Sequence, residues 1–169
     1  MKRVAIITGP GFQDEEFIYP YYRFLEANAE VEVATTTGQD VFGKYGVPAR
    51  ATCSTSKLKS NEFDAVFLPG GFEAPDRVRT DKDVLKFVWE MNEGKKLVTA
   101  ICHGPWVLIS AGIVKGRKMT GYISIKDDIV NAGAEYSDSE VVVDGNLITA
   151  PHYRNNPVFM EKVISSLLK

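Results

Sequence analysis

Leu97-Val98-Thr99-Ala100-Ile101-Cys102-His103-Gly104-Pro105-Trp106 decides the fold of this chain. A mostly apolar run ends at a cysteine. Small residues lie two positions to either side, and a proline opens the next segment. The pattern predicts a strand, a sharp turn and a helix, with a thiol at the apex. It is the thiol counterpart of the serine elbow, a turn that needs strained backbone and close packing; Ala100 and Gly104 would permit both. A thiol at a helix N-terminus faces unpaired N–H groups and the positive end of the macrodipole. That placement predicts a lowered thiol pKa. A cysteine without such a context is ordinarily a small buried core residue.

Outward from the elbow, strand and helix signals alternate. Val4 to Ile7 is a continuous apolar run, the sign of a strand buried on both faces, and Gly9-Pro10-Gly11 ends it. Phe17, Ile18, Tyr21, Phe24 and Leu25 fall on one helical face, with Pro20 inside the pattern, which predicts a kink or a restart. Glu30 to Thr35 reads as a strand. Thr36 to Lys59 reads as a small hairpin around Asp40–Phe42 and Pro48–Thr52, then a connecting helix or loop. Phe63 to Leu68 is a further strand, closed by Pro69-Gly70-Gly71. Thr80 and Asp83 resemble a capping box that opens a helix carrying Val84, Leu85, Val88 and Met91, with Gly94 as its stop. Ile123 to Asn131 is predicted helical. Val141 to Thr149 is a hairpin about Asp144-Gly145, and Phe159 to Leu168 forms the last helix.

Such alternation predicts an α/β fold: a mostly parallel sheet with helices on both faces. With no linker, repeat or low-complexity segment, residues 1–169 read as one domain. Ligands in such sheets collect beyond the carboxyl ends of the strands. Gly9–Glu16, Pro69–Asp76 and Cys102–Pro105 all leave strand ends, so they are expected to meet.

Bulk properties narrow the function. The chain has 169 residues, 44% hydrophobic and 25% charged, with a net charge of -2. No global basic field draws nucleic acid, and no apolar run is long enough for a membrane span. The N-terminal apolar run is too short for a signal peptide, so a cytoplasmic location is the default. Two cysteines make no disulfide framework. Two histidines and no ligand spacing argue against a metal site.

Each candidate residue has a chemical reason. Gly70 and Gly71 let the backbone approach a ligand, and their N–H groups with that of His103 could form an oxyanion hole. Glu15 and Glu16 suit the start of a helix. If Glu16 turns inward to Cys102, the favourable state is a protonated carboxyl donating to the sulfur, because a carboxylate would repel a thiolate. His103 adjoins Cys102, but consecutive residues at a tight turn usually project apart. It therefore needs an orienting acid from elsewhere. His152 follows the last strand and could line the same pocket. Cys53 has no elbow context and reads as a bystander.

These residues, in this order, resemble the PfpI family of the ThiJ/PfpI, class I glutamine amidotransferase-like superfamily. Glu16-Phe17-Ile18-Tyr19-Pro20, Leu68-Pro69-Gly70-Gly71 and Ala100-Ile101-Cys102-His103-Gly104-Pro105 carry the resemblance, which covers essentially the whole chain. Leu108 to Gly112 and Val141 to Asn146 add support. The resemblance implies a flavodoxin-like three-layer sandwich with Cys102 as nucleophile. It also implies Glu16 as its buried hydrogen-bond partner and an oxyanion site at Gly70 and Gly71. In that family an acid from a neighbouring subunit orients the histidine. Asp76 stands at the matching place, one methylene shorter than the usual glutamate. Tyr122 matches a tyrosine near the family's site. The sequence departs after the last strand, where Ala150-Pro151 replaces the usual Ser-Arg.

The resemblance implies a cysteine-dependent hydrolase or lyase: glyoxalase or deglycase action on small carbonyl or glycated substrates, or peptidase action. A homo-oligomer is implied, and neither cofactor nor metal is expected. A redox sensor or chaperone-like stress protein that oxidises Cys102 is the alternative. A glutamine amidotransferase would want a downstream histidine and acid, and only His152 is available.

Overall fold

The structure is a computed structural model, and it describes residues 1–169. The chain runs β1 (Arg3–Ile7), α1 (Asp14–Glu26), β2 (Glu30–Thr35), β3 (Val41–Phe42), β4 (Pro48–Ala49), β5 (Cys53–Ser54) and β6 (Ala65–Leu68). It continues through α2 (Glu73–Val78), α3 (Lys82–Glu93), β7 (Leu97–Ile101), α4 (Pro105–Ser110), β8 (Lys118–Met119) and α5 (Lys126–Asn131). Finally come β9 (Glu135–Tyr136), β10 (Val142–Asp144), β11 (Leu147–Ala150) and α6 (Asn156–Leu167). Seven strands form one sheet in the order β10-β11-β7-β6-β1-β2-β5. Only the β10–β11 pairing is antiparallel, through the hairpin at Asp144-Gly145. The expected parallel sheet and its late hairpin are both present.

Strand periodicity divides the interior in two. Ala5 and Ile7 of β1 join Val66, Leu68, Val98 and Ala100 in one core, against α3 and α4. Val4 and Ile6 join Ala65, Phe67 and Ile101 in the other, against α1 and α6. Successive strand side chains point to opposite faces, so each buried strand feeds both layers. That is why these strands read as unbroken apolar runs.

Several local details differ from the sequence reading. Pro20 neither splits nor ends α1, which continues from Asp14 to Glu26; packing against the sheet outweighs the one backbone hydrogen bond that proline removes. Asp81, instead of Thr80, caps α3: its Oδ1 accepts from the N–H of Asp83 at 3.0 Å and of Val84 at 3.4 Å. Residues 73–78 form the short helix α2, an element the sequence reading does not include. The segment before β6 contains two 3-10 turns, at Thr55–Lys57 and Ser60–Glu62, and the short edge strand β5.

Chain direction positions the site. After β1 the chain moves to β2 on one side, and later places β6 on the other. The loops leaving β1 and β6 therefore diverge and open a crevice at the carboxyl end of the sheet. The β7 elbow lies beside it.

Candidate active site

Cys102 has φ 61°, in the left-handed region, as a strained elbow requires. Its N–H donates to Ala150 O at 2.9 Å, and its C=O accepts from the Tyr122 N–H at 2.8 Å. Two distant segments thus hold the apex. Gly104 is required by contact. A Cβ there would lie 2.9 Å from Ile101 O and would collide with Leu68 O.

Glu16 is fully buried on the first turn of α1. Its Oε2 accepts the Gly70 N–H at 2.8 Å. The carboxyl also faces the Cys102 thiol and the Tyr153 N–H. Burial is the main cause that raises its pKa to about 8, so at neutral pH the carboxyl keeps its proton. The sequence reading takes an inward-facing Glu16 in this protonated form. Gly70 does not match: its N–H is already given to Glu16. The N–H groups that face the sulfur are those of Gly71 and His103.

The thiol itself behaves differently from the sequence expectation. Burial, and then the charge of an ionised Glu16, push the Cys102 pKa up, while the Gly71 and His103 N–H groups pull it down. With α4 only six residues long, its dipole gives little help. While Glu16 stays protonated its repulsion is absent, and burial alone opposes the two N–H donors.

His103 also departs from expectation. Adjacent residues at the elbow were expected to diverge, yet His103 Nδ1 lies 3.2 Å from Cys102 Sγ. The left-handed φ of Cys102 curls the chain so that both side chains face the same crevice. The outer nitrogen, Nε2, lies 3.2 Å from Ser124 Oγ. Burial lowers the His103 pKa. Asp76 is exposed on α2, and within this chain it makes no hydrogen bond or ion pair.

The expected neighbours are present. The Tyr122 ring stacks on His103 with centroids 5.0 Å apart, and His152 lies 5.9 Å from Tyr122. These residues and Gly71 line a cavity of about 260 Å³ with Cys102 and Glu16 at its base. Gln13, Lys44, Tyr45, Phe72 and Tyr153 also line it, and sequence reasoning missed them. Lys44 comes from the turn between β3 and β4, which no local motif marks as part of a site. Ser124 could have been found from its place two residues after Tyr122. Cys53 lies outside the cavity: it sits 3.2 Å from Glu32 Oε2, and burial together with that carboxylate pushes its pKa up to about 11. No cluster of side chains suited to a metal is present. No helix is long and apolar enough to cross a membrane.

The chain as a whole has counterparts by sequence and by fold. Deglycase PfpI of Pyrococcus furiosus is 40% identical over 165 residues, covering 98% of this chain and 99% of its own. Protein/nucleic acid deglycase 2 of Escherichia coli is 39% identical over 170 residues, covering 98% of each. A crystal structure from Anabaena variabilis joins a DJ-1/ThiJ/PfpI-like domain to a ferritin-like domain. It matches with a TM-score of 0.96 at 40% identity, over 99% of this chain and 48% of that longer one. The sequence profile of the DJ-1/PfpI family spans residues 2–166. With an elbow thiol of this geometry and a profile running nearly end to end, the chain belongs to the DJ-1/PfpI family.

Proposed function

We propose that this protein is a Cys102-dependent enzyme of the deglycase or glyoxalase type, acting on small carbonyl compounds and their adducts with amines or thiols. The observation that carries the reading is the placement of Cys102 Sγ, 3.2 Å from His103 Nδ1, beside protonated Glu16 at the base of the cavity. The names of the relatives from Pyrococcus furiosus and Escherichia coli point the same way.

A buried thiol with a raised pKa offers little standing thiolate, so attack is coupled to proton transfer. The sulfur bonds to the carbonyl-level carbon as its proton passes to His103 Nδ1. On a free carbonyl the π electron pair moves to oxygen, which the Gly71 and His103 N–H groups stabilise. On an amine adduct the carbon–nitrogen bond breaks instead, and His103 returns the proton to the departing amine. Glu16 donates to the sulfur and avoids placing a second negative charge beside it. Tyr122 and His152 wall the substrate in.

Access favours small substrates over peptides. Cys102 is only 7% exposed and opens into about 260 Å³. We further propose that the chain acts as one domain in the cytoplasm, as a homo-oligomer in which Asp76 of a second copy approaches His103. An exposed, unpaired Asp76 supports that arrangement, as does a histidine whose outer nitrogen meets only a hydroxyl. The deciding experiment is turnover of methylglyoxal, its thiol and amine adducts, and a peptide, by wild type and Cys102→Ser in parallel. Carbonyl turnover lost in Cys102→Ser supports the reading. Peptide cleavage alone would replace it with a peptidase, and Cys102 oxidation by mild peroxide without any turnover would replace it with a redox sensor.

A further inference from the structure

The rim of the cavity carries a charge that attack by Cys102 does not use. Lys44 lines the same cavity as Cys102. Its Nζ lies 5.3 Å from the Tyr45 ring centroid and 5.9 Å from that of Phe72, and it forms no ion pair. The other lining residue with an acidic or strongly basic side chain is Glu16, which keeps its proton at neutral pH. His103 and His152 both have lowered pKa values, chiefly through burial, so neither adds a standing charge near pH 7. Glu15 is outside the lining, and its carboxylate accepts from the Gln13 amide at 2.6 Å. Near neutral pH the cavity wall therefore carries one unpaired positive charge.

The backbone that presents this lysine is fixed from beneath. Asp14, 5% exposed, accepts the N–H groups of Tyr45 at 2.9 Å and Val47 at 2.8 Å. The Lys44 N–H donates to Phe12 O at 2.8 Å, and the Gly11 N–H donates to Phe42 O at 2.8 Å. A buried carboxylate at the start of α1 thus ties the β3–β4 turn to the loop that leaves β1. The turn is held over the crevice, and only the side chain of Lys44 is left to adapt.

We infer that Lys44 is a specificity residue that selects substrates bearing an anionic group, such as a carboxylate, next to the carbonyl-level carbon that Cys102 attacks. The ammonium meets the anion at the mouth, beside the exposed Tyr45 and Phe72 rings. Attraction between unit charges a few ångströms apart in a wet cleft changes affinity about fivefold. The inference deepens the proposed function and rests on it for the word substrate.

The test uses two readouts on the full chain in a Cys53→Ser background. The first is the ratio of Cys102 alkylation rates with iodoacetate and iodoacetamide at pH 7; these reagents differ in charge and little in size. Taking the ratio cancels any change in the thiol itself. The wild-type ratio is expected to fall about fivefold in Lys44→Gln, to persist in Lys44→Arg, and to collapse toward the Lys44→Gln value at high salt. An equal ratio in wild type and Lys44→Gln overturns the inference. The second readout is turnover of the methylglyoxal adducts of N-acetylcysteine and N-acetylcysteinamide. Preference for the carboxylate adduct is expected in KM and is expected to shrink in Lys44→Gln; an undiminished preference overturns the inference. If wild type turns over neither adduct, the proposed function fails, and the alkylation ratio still decides whether Lys44 selects anions.

Discussion

The Gly70 N–H donates to Glu16 Oε2 at 2.8 Å, across 54 positions of sequence. This contact joins the loop after β6 to the first turn of α1 directly beneath Cys102. It commits the first glycine of the pair to Glu16 and leaves Gly71 to face the sulfur. It also explains why residue 70 has no side chain. A Cβ there would lie 2.6 Å from Cys102 Cβ and 2.8 Å from Ile101 O, and would strike the Glu16 carboxyl.

Gly70→Ala is therefore expected to cost stability by about 1–3 kcal/mol, the usual range for overpacking a tight interior. It should also abolish turnover by displacing Glu16 and Cys102 together. Thermal unfolding and a carbonyl-turnover assay check both effects. Unchanged activity would mean that the loop yields without moving the nucleophile.

Glu16 sets a pH dependence of stability. Its pKa rises from 4.5 to about 8 on folding, chiefly through burial. Between those values the folded chain holds a proton that the unfolded chain has released, so stability falls as pH rises through this window. Wild type should lose melting temperature from about pH 5 to 8, relative to Glu16→Gln, whose amide does not titrate. Thermal scans across that range give the difference directly. Parallel curves would remove the buried proton.

The same substitution changes the thiol. An ionised Glu16 pushes the Cys102 pKa up, second only to burial. In Glu16→Gln that push is gone, so the pH midpoint of Cys102 alkylation should move down relative to wild type. Iodoacetamide labelling against pH, followed by peptide mass, reports it. A midpoint that moves up would show that donation from protonated Glu16 to the sulfur outweighs the repulsion from its ionised form.

The outer nitrogen of His103 has one partner within the chain and one proposed from outside it. The Ser124 hydroxyl can donate or accept, so it orients the ring without favouring the charged form. Ser124→Ala is expected to slow turnover only about twofold to fivefold, the worth of one modest hydrogen bond. Asp76→Ala should cost more, about tenfold or above, because a carboxylate stabilises the protonated imidazole. The acid limb of its kcat profile should also move to lower pH, because His103 must be neutral to take the thiol proton and loses the carboxylate that raises its pKa. Full activity in Asp76→Ala would remove that acid from the mechanism.

By itself the sequence determined the sheet, the elbow and the thiol at its apex. Runs such as Val4–Ile7 and Leu97–Ile101 could satisfy their side chains only by burial on both faces. The small residues around Cys102 announced a turn too tight for anything larger. Glu16, Gly70, Gly71 and His152 were legible because they stand beside strand ends or in motifs of their own, and Tyr122 only through the resemblance to the family.

Tertiary structure decided what each group does. The sequence could place Gly70 in the site but could not show that Glu16 takes its N–H. It could suggest a helix that lowers the thiol pKa, but burial, which depends on the whole fold, pushes the other way. The approach of His103 to Cys102 follows from one positive φ, which no composition encodes. Lys44 reaches the cavity, and Ser124 reaches His103, from segments about 60 and 20 residues from Cys102, and only the packing of the β3–β4 turn and the tether from Tyr122 brings them there. Local patterning fixes the strands and the turn because backbone sterics and burial act over a few residues. Proton affinity and the charge at the cavity wall depend on groups brought together from across the chain, so they exist only once it has folded.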